Sequence, residues 1–226
     1  MEEFNWLQLL NPEFYILLEL GGVKIGLFVV LFIVFAETGL LAGFFLPGDS
    51  LLFLAGIYSE GLMNQFSTHN DFLNVTIFAL LVSLMGILGN MTSYWFGAKS
   101  GGYLYSRQDS FFYKKKYLYQ SKEFFEKYGS KAIVFARFLP VVRTFAPVIA
   151  GIVEMDKKKF MLYNILGSLL WSFSMIFSGH YLHAFFLNEF GVDLKHYIEY
   201  IVIIIVLFTT VPVLWKILKK QAHIEE

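Results

Sequence analysis

Four ionisable side chains stand in stretches that are otherwise apolar: Glu37, Asp49, Arg137 and Arg143. A charge at the centre of a membrane helix costs roughly 2.5–3.5 kcal/mol even on the lenient insertion scale, so such residues mark substrate or proton routes by default. The chemistry open to this set is specific. Burial disfavours an ionised carboxylate while a nearby arginine favours it, so an acid can exchange a proton as an arginine moves away. Arginine stays charged, and its planar fork fits phosphate oxygens. Acids opposite arginines therefore suit proton-linked handling of an anionic headgroup, with Arg137 and Arg143 as substrate-binding candidates and Glu37 and Asp49 as proton-coupling candidates. The plainer alternative is that the four pair as buried salt bridges that lock their segments together. Pairing is expected either way, because a lone buried charge is intolerable.

The elements that must position these groups belong to a membrane protein. The chain has 226 residues, of which 57% are hydrophobic and 19% aromatic, with a mean hydropathy of +0.58. Apolar runs of this length exceed what a soluble core of this size could hide. The net charge is zero, which excludes a global nucleic-acid footprint, and there are no cysteines, which excludes disulfides and thiol chemistry. The acidic start, Met1-Glu2-Glu3, lacks the basic region of a signal peptide and is expected to be retained.

Taken in order, residues 1–13 read as a polar lead-in and Phe14–Gly26 as an interfacial helix. Ile25–Phe45 is an apolar run that ends in Leu46-Pro47-Gly48-Asp49-Ser50, where Pro47 and Gly48 stop a helix and Asp49 or Ser50 can cap the next, Leu51–Gly61. That makes about 26–60 a first re-entrant hairpin. Residues 72–97 read as a full transmembrane helix. Residues 98–131 carry Lys99, Arg107, Lys114, Lys115, Lys116, Lys122, Lys127 and Lys131 and read as a basic, amphipathic segment on the cytoplasmic side.

Ile133–Gly151 is apolar but holds Arg137, Arg143, Pro140 and Pro147, so it does not fit a plain span. Broken backbone at membrane depth is tolerated where it is buried in protein or lines a wet cavity. Residues 132–155, with Pro140, Pro147 and Gly151 at its turns, are therefore predicted to be a second re-entrant hairpin. Spans over 160–186 and 197–214 follow, and the final lysines place the C-terminus in the cytoplasm. The expected fold is a single all-α membrane domain over 1–226, with about three full transmembrane helices and interfacial amphipathic helices.

The hairpins echo each other. Phe45-Leu46-Pro47 precedes Asp49 and Ala55-Gly56; Phe138-Leu139-Pro140 precedes Arg143 and Ala150-Gly151. Ile87-Leu88-Gly89-Asn90 and Ile165-Leu166-Gly167-Ser168 recur in the helices that come after. With opposite sides of entry, this pattern fits an inverted repeat whose broken helices meet at the midplane.

Other candidates carry less. His180 and His183 are spaced along a helix without a third ligand nearby, so packing histidines are preferred to a metal site. Ser178-Gly179-His180 matches one motif of membrane lipid phosphatases, but the arginine- and histidine-bearing motif that should follow is absent. Gly39/Gly43 and Gly97/Gly101 are small-xxx-small pairs that close helix packing explains. No nucleophile elbow, phosphate loop or metal cluster is present, so an enzyme ranks last and no cofactor is expected.

Together these residues resemble the DedA family, the SNARE-associated or VTT-domain superfamily of membrane proteins. The resemblance covers roughly residues 20–190. Its strongest part is Phe135-Ala136-Arg137-Phe138-Leu139-Pro140-Val141-Val142-Arg143-Thr144, then Pro147 and Ala150-Gly151. Glu37 twelve residues before Asp49, the Leu46-Pro47-Gly48-Asp49 turn, the glycines around Tyr94, and Asn164 and Trp171 also match. The resemblance implies handling of undecaprenyl phosphate or phospholipid across the bacterial inner membrane, linked to the proton motive force. It implies essential roles for Glu37, Asp49, Arg137 and Arg143. Two departures stand out: Asn90 replaces a usual acid, and Ala98 a frequent basic residue. The expected partners are membrane lipids and protons, without nucleic acid, and a homo-oligomer is compatible with the sequence. A lipid-phosphate flippase is the first expectation; a proton- or ion-coupled solute transporter and a non-transporting envelope scaffold are the alternatives.

Overall fold

The computed structural model describes residues 12–20, 22–40, 48–63, 70–106, 123, 133, 140–198, 200, 201, 203 and 204. Among the described residues the fold is carried by seven helices: α1 (Pro12–Ile16), α2 (Gly26–Gly39), α3 (Gly48–Ile57), α4 (Ser59–Met63), α5 (Asp71–Ser106), α6 (Pro140–Ile152) and α7 (Lys157–Phe190). A 3-10 turn, Leu194–Tyr197, follows α7.

Two of the helices are long and apolar enough to cross a membrane. These are α5 and α7, with 36 and 34 residues, or roughly 50 Å each at about 1.5 Å per residue. The expected spans 72–97 and 160–186 lie inside them. The expected span 197–214 falls largely outside the described residues, as does most of the basic segment 98–131. Its first part is corrected: α5 continues unbroken to Ser106. No proline interrupts it, and Gly101 lets the α6 backbone approach, since a Cβ there would lie 2.9 Å from the Ile152 carbonyl.

By contrast α2, α3 and α6 have 14, 10 and 13 residues, about 15–21 Å, well short of a hydrocarbon core of about 30 Å. Each packs on a long helix: α3 against α7, α6 against α5, and α2 against α5, while α5 and α7 pack on each other. The close approaches depend on glycine. A Cβ at Gly56 would overlap the Ile176 carbonyl of α7, and one at Gly151 would overlap the Tyr94 carbonyl of α5.

Three local expectations are corrected. Phe14–Gly26 is not one helix: α1 is a single turn, and Glu19–Lys24 folds back as a two-residue antiparallel ladder pairing Glu19 with Lys24 and Leu20 with Val23. Gly22, at φ 82°, supplies the left-handed residue that this reversal needs. Secondly, Gly48 and Asp49 do not lie in a turn before a helix that starts at Leu51. They are its first residues, with Asp49 in the first turn, where the free helical N–H groups favour an acid.

Thirdly, Pro140-Val141-Val142-Arg143 is not a break. It is the first turn of α6, where a missing N–H costs nothing because the first helical N–H groups have no partner. Pro147 lies inside the same helix and Gly151 near its end, so neither is a turn residue. A proline at position 147 removes the helical donor to the carbonyl four residues before it, that of Arg143. Pro47, the remaining expected turn residue, lies outside the described residues.

The core is apolar around Val30, Val34, Leu51, Leu52, Phe78, Trp171 and Ile176, all almost fully buried. A polar seam runs through it between α5 and α7. Ser83 and Ser172 hydroxyls lie 2.6 Å apart, Asn90 Nδ2 donates to Asn164 Oδ1 at 2.8 Å, and Asn164 Nδ2 donates to the Ile87 carbonyl at 3.1 Å. Without water to satisfy them at this depth, buried polar groups must find partners on neighbouring helices.

Candidate functional site

The ends of three short helices converge beside this seam. Glu37 sits two residues before the end of α2, Asp49 at the second position of α3, and Arg143 at the fourth position of α6. The end of α2 is held in place by α5, where the Ser93 hydroxyl donates to the Thr38 carbonyl at 2.7 Å and to the Gly39 carbonyl at 3.1 Å. These are carbonyls that a helix end leaves without intrahelical donors.

Arg143 joins the two acids. Its Nη2 is paired with Glu37 Oε1 and its Nη1 with Asp49 Oδ1. Glu37 is 2% exposed and Arg143 8%, so the arrangement is a buried carboxylate–guanidinium–carboxylate bridge. Trp171 of α7 completes it. Its indole Nε1 donates to Asp49 Oδ1 at 2.9 Å, and its ring lies 5.0 Å from the Arg143 guanidinium carbon. One tryptophan thus fixes the acid by a charge-assisted hydrogen bond and the base by a cation–π contact.

Electrostatically the centre is tuned by helix ends. Asp49 lies in the first turn of α3, where the positive end of the helix dipole stabilises an anion. Arg143 lies in the first turn of α6, where the same dipole opposes a cation, so the two carboxylates offset an unfavourable placement. The N-terminal turns of α3 and α6 and the Arg143 guanidinium therefore meet at the two carboxylates.

The cavity beside Arg143, lined by Thr38, Asn90, Pro147 and Trp171 among others, measures about 10 Å³, enough for roughly one water molecule. A larger cavity of about 310 Å³ lies between α1, α2 and α4 and contains none of the charged centre. Chemistry, not size, singles out the first.

The sequence-derived candidates are distributed as follows. Glu37, Asp49, Arg143 and Trp171 meet directly. Asn90 lines the cavity and is held by Asn164. Tyr94 stands further off: its hydroxyl donates to the Met155 carbonyl at 2.5 Å and its ring stacks on Phe160 with centroids 4.4 Å apart, so it braces the α6–α7 connection. Gly48 abuts the Glu37 carboxylate so closely that any Cβ would overlap it. Arg137 and Pro47 lie outside the described residues.

The histidines lie elsewhere. His180 bonds to Ser59 and Asp71, and no cluster of three metal-ligating side chains occurs among the described residues. Ser93, Ser59 and Asp71 were not singled out by sequence. A serine or a loop-edge aspartate carries no signal until its partner across the fold is known.

Comparison with known proteins gives this site its family. The VTT domain profile matches residues 46–181. Protein DedA of Escherichia coli is 39% identical over 153 residues, covering 68% of this chain and 67% of that protein. Uncharacterized membrane protein Rv0364 of Mycobacterium tuberculosis is 40% identical over 153 residues, covering 68% of this chain and 64% of its own length. Inner membrane protein YqjA of Escherichia coli is 33% identical over 145 residues, covering 64% of this chain and 61% of its own. No solved structure matches significantly. The matched segment holds Asp49, Arg143 and Trp171 of the charged centre, and on these similarities the chain is a membrane protein of the DedA family, carrying its VTT domain over residues 46–181.

Proposed function

We propose that this protein moves a lipid phosphate, undecaprenyl phosphate or a phospholipid, between membrane leaflets, with proton exchange at Glu37 and Asp49. The observation that carries this reading is Arg143 held between two carboxylates where two short helices begin. A phosphate offers the same oxygen geometry to a guanidinium as a carboxylate does, so it can replace one of the acids. Protonation of that acid releases Arg143, and the phosphate takes its place. Arg137 supplies a second guanidinium in this scheme.

The scheme needs opening, because the cavity at Arg143 admits about one water. In this reading α2–α3 and residues 132–155 form two opposed re-entrant hairpins of an inverted repeat. Their crossed packing supports it: α3 of the first half lies on α7 of the second, and α6 of the second lies on α5 of the first. Motion of one hairpin against the other would widen the cavity and expose it to either side in turn. The proposed location is the cytoplasmic membrane, with the C-terminus inside; the role is transport, not covalent chemistry.

The small cavity also suits a second reading, a proton- or ion-coupled transporter of a small solute. Reconstitution separates the two. Purified protein in liposomes is expected to translocate a labelled polyprenyl phosphate, and Arg143→Gln and Asp49→Asn each to slow it at least about tenfold, the equivalent of one lost charge-assisted bond. Unchanged lipid translocation by Arg143→Gln would overturn the lipid reading. Proton flux without any lipid movement would favour the second.

A further inference from the structure

Where α5 begins and α7 ends, three side chains from three helices form a hydrogen-bonded chain. The Ser59 hydroxyl, on the first residue of α4, lies 2.8 Å from His180 Nδ1, and His180 Nε2 lies 2.9 Å from Asp71 Oδ2, on the first residue of α5. The order Ser–His–Asp is that of a hydrolase triad, but burial runs the opposite way. Ser59 is 1% exposed, whereas the Asp71 side chain is 55% exposed. A nucleophile must meet its substrate, with the orienting acid held inside. Here the acid faces solvent and the hydroxyl is shut in. What the open end can take up from solution is a proton.

We propose that Ser59–His180–Asp71 is a proton-binding latch, separate from the Glu37–Asp49–Arg143 centre, that fastens α3 and α4 to α5 and α7 when His180 is charged. Both states of the imidazole satisfy the chain. Neutral, it donates from Nε2 to Asp71 and accepts from Ser59; charged, it donates to both. Protonation breaks no bond and turns the contact with Asp71 into an ion pair, a class of hydrogen bond about twice as strong as a neutral one. Histidine is the side chain whose charge changes between about pH 5 and pH 8.

Asp71 of α5 is the carboxylate in contact with His180. Glu60 of α4, Asp193 and Lys195 after α7 interact with the neighbouring His183, and Asp193 lies 3.8 Å from His183 Nδ1 and 3.7 Å from His196 Nδ1. Tyr58 is bonded to Glu13 with Lys195 over its ring.

The latch sits on the helix that bears Asp49. α3 is tied to α7 at both ends, through Trp171 to Asp49 and through His180 to Ser59 just beyond its last turn. Between them the backbones touch, since a Cβ at Gly179 would overlap the Phe53 carbonyl. The inference does not depend on which substrate the centre handles.

The test is hydrogen exchange of the full-length protein in lipid nanodiscs at about pH 5.5 and about pH 8, on either side of the histidine range. After correction for intrinsic exchange, α3–α4 amides of the wild type are expected to be about fivefold better protected at the acidic pH. Asp71→Asn keeps an acceptor but no charge, and His180→Gln keeps hydrogen-bonding groups but cannot charge; both are expected to erase that difference. A wild type without pH dependence would overturn the proposal, as would Asp71→Asn retaining it in full. Loss of protection in both variants by the same factor at each pH, with the wild-type difference between the two pH values left in place, would mean a plain hydrogen-bonded clamp, and would overturn it too.

Discussion

Gly48 and Glu37 touch so closely that a Cβ at position 48 would overlap the glutamate carboxylate and push it aside. Gly48 starts α3 and Glu37 is near the end of α2, so the contact sets how closely the two helices bring their acids to Arg143. The glycine is retained for close approach, not for backbone freedom, since it takes ordinary helical geometry.

Gly48→Ala is accordingly expected to displace Glu37 from Arg143 and to destabilise the protein by about 1–3 kcal/mol, the usual cost of overpacking a filled site. Gly102→Ala is the control, because nothing lies within 4 Å of a Cβ there. An alanine in that exposed helical position is expected to stabilise by up to about 1 kcal/mol. Thermal unfolding of both variants in the same detergent measures the contrast, and equal behaviour would show that the Gly48 contact carries no constraint.

Arg143 shields the buried Glu37 carboxylate and the partly buried Asp49 carboxylate from each other. Arg143→Ala should cost about 3–5 kcal/mol at neutral pH, as expected when a buried pair loses one partner. The loss has a sign with pH. Without the guanidinium the acids repel and are desolvated, both of which favour their protonated forms. Lowering the pH therefore removes the penalty, so the variant should approach wild-type stability under acidic conditions and diverge as pH rises. Denaturation midpoints across a pH series test this; a deficit constant with pH would point to lost packing instead.

Asn90 belongs to the polar seam, and its partner shows what an acid at that position would do. Its amide donates to Asn164 Oδ1, while Asn164 spends its own amide on the Ile87 carbonyl. A carboxylate at position 90 cannot donate, so Asn90→Asp leaves two acceptors facing each other or forces Asn164 to turn and abandon Ile87. Either outcome should cost about 1–3 kcal/mol at neutral pH. A protonated aspartic acid can donate again, so the cost should shrink as pH falls. Stability curves for Asn90→Asp and the wild type, compared across pH, decide it.

Much of this protein is legible in one dimension. Apolar length marks α5 and α7, because a membrane span is a local property of about twenty consecutive residues. Glu37, Asp49 and Arg143 stand out for the same reason: a charge in an apolar stretch is conspicuous without knowing its partner. What local sequence misreads is backbone continuity. Pro140 and Pro147 read as turns, yet one starts α6 and the other lies inside it, since a proline costs nothing in a first turn and elsewhere removes one helical donor, a loss that packing of α6 on α5 can outweigh.

Pairing is the part that only tertiary structure decides. Arg143 and Asp49 are 94 residues apart, Asp49 and Trp171 are 122 apart, and Ser59 and His180 are 121 apart. No spacing rule connects residues at such separations. The sequence determined that charges would be buried and would need partners, because desolvation is a property of each group with its apolar neighbours. Which charge meets which, and that one tryptophan holds both an acid and a base, follows from how closely glycines let α3 approach α7 and α6 approach α5. That is a matter of packing in three dimensions.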